Sequence, residues 1–361
     1  MKAAVCYAHG EPLAIQEVSI ADPGPGEVKV RLAACAICHS DISYADGAWG
    51  GELPAVYGHE ASGKVEMLGA NVSGLAVGDH VVVTLIRSCG HCFYCSKGAP
   101  TACETKFPLD DKTPLLNEQG SSIIQGLRTG AFAEYVVVAS SQIVSIPKDI
   151  PLDSAALLAC SVVTGVGAVA NTASVTPGST VCVIGAGGVG LNTIQGAVIV
   201  GALNIIAIDI NEVKLDAARN FGATHCINSL TTNVVDTINN ITNDRGVDYV
   251  FVTVGVKNAF EQAYKIIGNL GVVVLVGMPP DNVMTEFEPG DFANAGQMII
   301  GSKMGSSRID IDIPYLVGLY KQGRLKLDEL ISGRYQLEEI NEAIQSVKNG
   351  MALRNILIFK D

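Results

Sequence analysis

Residues 38–60 bring together side chains that bind first-row metals. Cys38, His39, Ser40 and Asp41 are consecutive, and Gly58-His59-Glu60 follows after a linker. Thiolate sulfur, imidazole nitrogen and carboxylate oxygen in one segment form a mixture that suits zinc. A later cysteine, Cys160, is needed to complete the set.

A second group is Cys89, Cys92, Cys95 and Cys103, separated by two, two and seven residues. Glycines and small residues between them let the backbone curl around one ion. Four thiolates make a closed tetrahedral site with no room for substrate, so this cluster reads as structural zinc. The metal would replace the core that so small a lobe cannot build. A redox role for Cys92-Phe93-Tyr94-Cys95 is disfavoured, because no thioredoxin-like βαβ pattern surrounds it.

A third signal lies further on. The apolar run Val181-Cys182-Val183-Ile184 leads into Gly185-Ala186-Gly187-Gly188-Val189-Gly190. The first glycine of such a fingerprint permits a tight turn, and the second lets a pyrophosphate approach the backbone. The third lets helix and strand pack closely, with the phosphates at the helix N-terminus. Ile205 to Asp209 reads as the next strand. Asp209 ends it, nineteen residues past Gly190. An acid there accepts hydrogen bonds from the adenosine ribose and repels a 2′-phosphate, favouring NAD over NADP. Asn211 is the better cap for the helix that runs to Gly222.

The elements that must hold these residues fall into two kinds. Early in the chain, Val28, Val30 and Leu32 alternate with Lys29 and Arg31, the period of a half-buried strand. Val65 to Met67 and Val81 to Val83 read as further short strands between glycine turns, which predicts a barrel-like domain. Residues 104–131 read as a polar excursion loop, and Phe132 to Val138 as a return to strand. A linking helix starts near Cys160. Beyond it strands and helices alternate: Val250 to Val254, a helix with Phe260, Ala263, Tyr264 and Ile267 as core, Val272 to Val276, and Ile299 to Gly301. These strands with crossover helices predict a doubly wound parallel sheet. The tail returns to the first domain with a helix over Leu337 to Asn349 and a strand over Asn355 to Phe359.

At 361 residues the chain is long enough for two domains with their own cores. A net charge of −12 without a basic run argues against nucleic acid or an anionic membrane as partner. No apolar run reaches the roughly 18 residues that span a bilayer. The N-terminus lacks a signal-peptide pattern, so a cytoplasmic location is expected. Ten cysteines in such a chain read as ligands and buried thiols rather than disulfides. Cys6, Cys35, Cys182 and Cys226 fall in no ligand pattern and read as buried apolar thiols.

These motifs, in this order, closely resemble the zinc-dependent medium-chain alcohol dehydrogenase family over essentially the whole chain. The resemblance implies a chaperonin-10-like (GroES-like) β-barrel catalytic domain, residues 1–159 and 303–361. Into it would be inserted a Rossmann NAD-binding domain, residues 160–302. It implies Cys38, His59 and Cys160 as catalytic zinc ligands, Glu60 as a carboxylate able to move onto that metal, and Asp41 hydrogen-bonded behind His59. With the four-cysteine lobe, that makes two zinc ions per chain. Lys214 matches a position contacting the adenosine ribose, and His39 and Arg354 match positions meeting the coenzyme pyrophosphate. Trp49 and Leu85 match positions lining the substrate pocket.

The implied chemistry has its own physical logic. Removing hydride from an alcohol carbon calls for an alkoxide, which neutral water does not supply and a Lewis-acidic metal can stabilise. Ser40, next to the ligand segment, can pass the proton away, and NAD accepts the hydride. Ser43, followed by Tyr44, stands where many relatives carry a relay histidine, so the relay would end on water. Ser40 as a structural hydroxyl and Trp49 as ordinary packing are the competing readings. The expected function is NAD-dependent dehydrogenation of a primary or secondary alcohol, aromatic and medium-chain ones included, to aldehyde or ketone by a homodimer or homotetramer. The alternatives are a glutathione-dependent formaldehyde dehydrogenase and a catalytically silent nucleotide-binding structural homologue.

Overall fold

The computed structural model describes residues 1–350 and 352–360. The chain divides into two compact units, Met1–Ser161 with Arg308–Asp361, and Val162–Ser307. The changeovers fall after 161 and after 307, so Cys160 belongs to the first unit.

The first unit is built on two mixed sheets. In the larger, the strand Glu27–Ala36 pairs antiparallel with Glu60–Leu68, Tyr135–Ala139 and Arg354–Ile358. Its alternation is as the sequence predicts: Val28, Val30 and Leu32 are buried between half-exposed neighbours. That central strand delivers both ends of the metal-ligand segment. Its C-terminal end leads to Cys38, and its partner begins at Glu60, with Ala36 opposite Glu60 in register.

The smaller sheet departs from expectation. Residues 104–131 are not a structureless excursion. They contain a short helix, Pro108–Asp111, and strands Leu115–Leu116 and Ser122–Gln125, which complete a six-stranded sheet with Lys2–Cys6 and Ala55–Val56. Leu115 and Ile123 are fully buried there. Strands this short carry too few residues to show a period, which is why composition reads as loop. The expected strand from Phe132 begins instead at Tyr135, and the tail helix is Ile340–Lys348 after one 3₁₀ turn.

The second unit is a six-stranded, all-parallel sheet. Its spatial order is His225–Asn228, Asn204–Asp209, Thr180–Ile184, Val247–Val252, Ile267–Leu275, Met298–Gly301. The order reverses beside Thr180–Ile184, the crevice where open α/β sheets bind ligands. Composition gives little sign of His225–Asn228, whose only fully buried member is Ile227. Phe260 and Ala263 are core as expected, while Tyr264 is half-buried and packs against Phe287 and Phe292. Of the four unassigned thiols, Cys6, Cys35 and Cys182 are buried, but Cys226 is only half-buried. Among the described residues, no single helix is long and apolar enough to cross a membrane.

Candidate active site and dinucleotide site

Cys38 is the N-cap of the short helix His39–Ala45, with extended backbone at φ −101° and ψ 152°. Its N–H donates to Asp41 Oδ2 at 3.0 Å, so the carboxylate caps the helix start. The other oxygen, Oδ1, accepts from the Gly58 N–H at 2.9 Å and lies 2.8 Å from His59 Nδ1. One buried carboxylate thus ties together the two chain segments that carry ligands. Gly58 is required at its position. Its φ is +94°, and a Cβ would sit 2.6 Å from the Phe132 nitrogen.

Because an ionised carboxylate only accepts, Nδ1 of His59 carries a hydrogen and Nε2 is aimed at the other donors. Nε2 lies 3.3 Å from Cys160 Sγ. Glu60 completes the group. Ser161 Oγ donates to its Oε2 at 3.2 Å, and Arg354 Nη2 stands 3.2 Å from its Oε1. That second approach is an ion pair without hydrogen-bond alignment, so Oε1 is a buried oxygen lacking a hydrogen-bond partner.

The electrostatics match a cation site. The Cys38 thiol is held well below its ordinary range, first by a hydrogen bond from Cys160 and then by His59, against the effect of burial. Cys160 is pushed well up by that same hydrogen bond and by burial. Burial opposes charge on His59, but Asp41 outweighs it and raises the imidazole well above its usual value. Burial pushes the Glu60 carboxyl up to about 7, with Arg354 working the other way.

The ligand atoms of Cys38, His59, Glu60 and Cys160 all lie within 4.8 Å of one another, and all four residues are buried. Two sulfurs, one imidazole nitrogen and an under-satisfied carboxylate oxygen fit zinc in number, type and reach. The sequence-derived donor set is therefore brought together in full.

Cys89, Cys92, Cys95 and Cys103 also lie within 4.8 Å of one another, half-buried. All four are free thiols rather than disulfides. Gly90 and Gly98, at φ +78° and +76°, turn the chain around them. The N–H of Cys92 donates to Cys89 Sγ at 3.2 Å. A Thr105 hydrogen bond draws the Cys89 thiol down to about 5, while burial pushes the Cys95 thiol up to about 12. Phe93 and Tyr94 of the lobe are exposed, so it has no apolar core of its own. This set fits a structural zinc.

In the second unit, Gly187 is the N-cap of the helix Gly188–Ile199, and a Cβ there would meet nothing within 4 Å. That leaves the open approach a pyrophosphate needs. Gly190 is different: a Cβ would stand 1.8 Å from the Gly185 oxygen. Asp209 accepts from Ala186 N–H at 2.7 Å and from Asn211 N–H at 3.0 Å. It therefore braces the glycine turn, and each oxygen keeps a lone pair for a ribose hydroxyl. Asn211 caps Glu212–Asn220 by accepting from Val213 N–H, and half-buried Lys214 lies in that helix's first turn. The residues present fit a dinucleotide.

Of the remaining expected residues, His39 is exposed, while Ser40, Trp49 and Leu85 are half-buried. Arg354, expected at the coenzyme phosphates, is buried against Glu60 and also donates from Nη1 to the Ile37 carbonyl at 3.2 Å. Sequence reasoning did not find Ser161 or the Arg354–Glu60 pair. It also missed buried Arg87, which joins Asp110 at 2.7 Å and lies over the Phe107 ring. None of these has a spacing signal, since each partner is far away in the chain.

Residues 24–148 match the alcohol dehydrogenase GroES-like domain, and residues 188–320 match the zinc-binding dehydrogenase domain. The chain belongs to the zinc-dependent medium-chain alcohol dehydrogenase family. It is 34% identical to alcohol dehydrogenase-like 7 of Arabidopsis thaliana, over 99% of this chain and 94% of that one. An alcohol dehydrogenase zinc-binding domain protein from Burkholderia ambifaria superposes with a TM-score of 0.95 at 37% identity, covering 100% and 99% of the two chains. Benzyl alcohol dehydrogenase from Acinetobacter calcoaceticus gives 0.93 at 35% identity, covering 99% of each.

Proposed function

We propose that this chain is a zinc- and NAD-dependent dehydrogenase of primary or secondary alcohols, with aromatic alcohols among its substrates. The observation that carries the reading is the buried donor cluster of Cys38, His59, Glu60 and Cys160, with Asp41 locked behind His59. A zinc ion held by these residues would act as a Lewis acid toward the alcohol oxygen, the effect that lowers the pKa of water from about 16 to about 7.

The chain's own residues do the rest. Asp41 orients His59 and keeps Nε2 toward the donors. Arg354 holds the Glu60 carboxylate and offsets part of its charge. Ser40, half-buried in the helix that starts after Cys38, takes the hydroxyl proton. With Ser43 in place of a basic relay residue, that proton continues to water. Asp209 accepts the ribose hydroxyls and repels a 2′-phosphate, which favours NAD. The half-buried Trp49 and Leu85 supply an apolar wall, and the benzyl alcohol dehydrogenase relative supports an aryl substrate. The four-cysteine lobe takes the second zinc. The working form in this reading is a cytoplasmic homodimer or homotetramer.

The test is a panel of aliphatic and benzylic alcohols, followed by NADH absorbance and repeated with NADP. Turnover with NAD well above that with NADP is expected. A zinc-loaded chain that oxidises none of the panel with either coenzyme would overturn the reading.

A further inference from the structure

The peptide unit between Gly185 and Ala186 is gripped from both sides. It follows the strand Thr180–Ile184 directly. Thr253 Oγ donates to its carbonyl, Gly185 O, at 2.8 Å. Its N–H, on Ala186, donates to Asp209 Oδ2 at 2.7 Å. Thr253 comes just after the strand Val247–Val252, and Asp209 ends the strand Asn204–Asp209. Those two strands pair with Thr180–Ile184 on opposite sides.

The Thr253 hydroxyl is committed to this carbonyl. Its Oγ also lies 3.0 Å from Ile184 O, but that oxygen already accepts from the Thr253 N–H at 3.0 Å. A threonine hydroxyl has one hydrogen, and Gly185 O is its nearer acceptor. The turn leaves space for it. A Cβ on Gly185 or on Gly190 would stand 3.0 Å from Thr253 Oγ, and Gly185 has φ +97°. Because a peptide unit is planar, its C=O and N–H cannot turn independently. A bond that fixes the Gly185 carbonyl therefore also aims the Ala186 N–H, and with it the carboxylate that accepts from it. Hydrogen bonds in series through one peptide also polarise each other.

We propose that Thr253 is a positioning residue for coenzyme selection. Its hydroxyl acts through the Gly185–Ala186 peptide to set the Asp209 carboxylate where the adenosine ribose meets it. This rests on the reading of Asp209 as the NAD-selecting acid. Thr253 itself does not have to touch the coenzyme. A well-placed carboxylate accepts from the ribose hydroxyls of NADH and repels the 2′-phosphate of NADPH. Loosening the clamp weakens the first and relieves the second. A hydroxyl that only supported the fold would shift both affinities alike, so their ratio is the decisive quantity.

The test measures Kd for NADH and for NADPH on the zinc-loaded full chain, using the fluorescence of the reduced nicotinamide. Thr253→Val removes the hydroxyl and keeps the side chain's shape, while Thr253→Ser keeps the hydroxyl. Thr253→Val should weaken NADH about two- to tenfold, the range of one hydrogen bond, and narrow the preference for NADH over NADPH. Thr253→Ser should restore both toward wild type. Added to Asp209→Asn, Thr253→Val should leave the ratio where Asp209→Asn alone puts it. Thr253→Ala takes the place of the valine variant if that chain does not fold. A ratio unchanged by Thr253→Val, or narrowed equally with and without the Asp209 charge, overturns the proposal. If wild type binds NADPH as tightly as NADH, the reading of Asp209 falls and this inference falls with it. If wild type prefers NADH and Thr253→Val keeps that preference, only the inference on Thr253 falls.

Discussion

Arg354 and Glu60 face each other at 3.2 Å with neither side chain appreciably exposed. The arginine comes from the C-terminal strand and the glutamate from the strand that follows His59. Both lie in the larger sheet of the first unit, on either side of Glu27–Ala36. The pair ties the chain's tail to the metal-ligand cluster. Removing one member of a buried pair leaves the other uncompensated, typically at a cost of about 3–5 kcal/mol. Arg354→Met should therefore lower stability in urea by that order, and Arg354→Lys by less. A Met variant as stable as wild type would show that the pair contributes no structural support.

Asp41 offers a cleaner separation of metal binding from folding. Asp41→Asn has one acceptor oxygen where the carboxylate has two, so it cannot serve the Cys38 N–H, the Gly58 N–H and His59 Nδ1 together, and its NH2 must face one of those donors. His59 also loses the charged partner that fixes its ring with Nε2 toward the metal. Such supporting contacts are worth about 10–100-fold in metal affinity. Competition with a chelator should show zinc lost from this cluster by that factor while the four-cysteine lobe stays loaded.

The converse holds at Cys89, Cys92, Cys95 and Cys103. Cys95→Ser should drop the zinc content from two ions to one per chain. With Phe93 and Tyr94 already exposed, nothing apolar holds the lobe closed without metal. Limited proteolysis should then cut within residues 89–103 while the catalytic cluster keeps its ion. Cutting at the wild-type rate would count against a structural zinc there.

Cys38→Ala should abolish turnover and largely spare NAD binding, because Cys38 lies in the first unit and the glycine turn in the second. Single-turnover measurements alongside NADH titration separate the two effects.

Asp209 braces the glycine turn, and in the proposed reading it also selects NAD over NADP; two variants distinguish these roles. Asp209→Ala removes both the charge and the acceptor that braces Ala186, so NAD should weaken and the preference over NADP should narrow. Asp209→Asn removes the charge and keeps one acceptor oxygen for the Ala186 brace, giving up the oxygen that accepts from the Asn211 N–H. Its NAD affinity should fall less, while its discrimination against NADP narrows comparably. Steady-state KM values for both coenzymes check this. An unchanged coenzyme ratio in both variants would remove Asp209 from the specificity argument.

Much of this was legible along the chain. Val28, Val30 and Leu32 announced their strand through alternation, and Asn211 announced its helix as a cap. The donor residues showed themselves by type and the four-cysteine lobe by spacing. Leu115–Leu116 and Ser122–Gln125 were not legible, because two to four residues cannot display a period. His225–Asn228 was hidden by its polar composition, since its burial comes from neighbouring strands rather than from its own residues.

By itself the sequence determined which atoms are available for chemistry, the order in which they occur, and the glycine turn with the acid that follows it. Those are local properties, set by backbone sterics and by repeats over a few residues. Only the tertiary structure decided that Asp41 joins Cys38 to His59, that Cys160 closes the cluster, that Arg354 turns to Glu60, and that Thr253 and Asp209 grip one peptide from either side. Each depends on segments far apart in the chain being pressed together by a shared core, and no spacing between neighbouring residues records that.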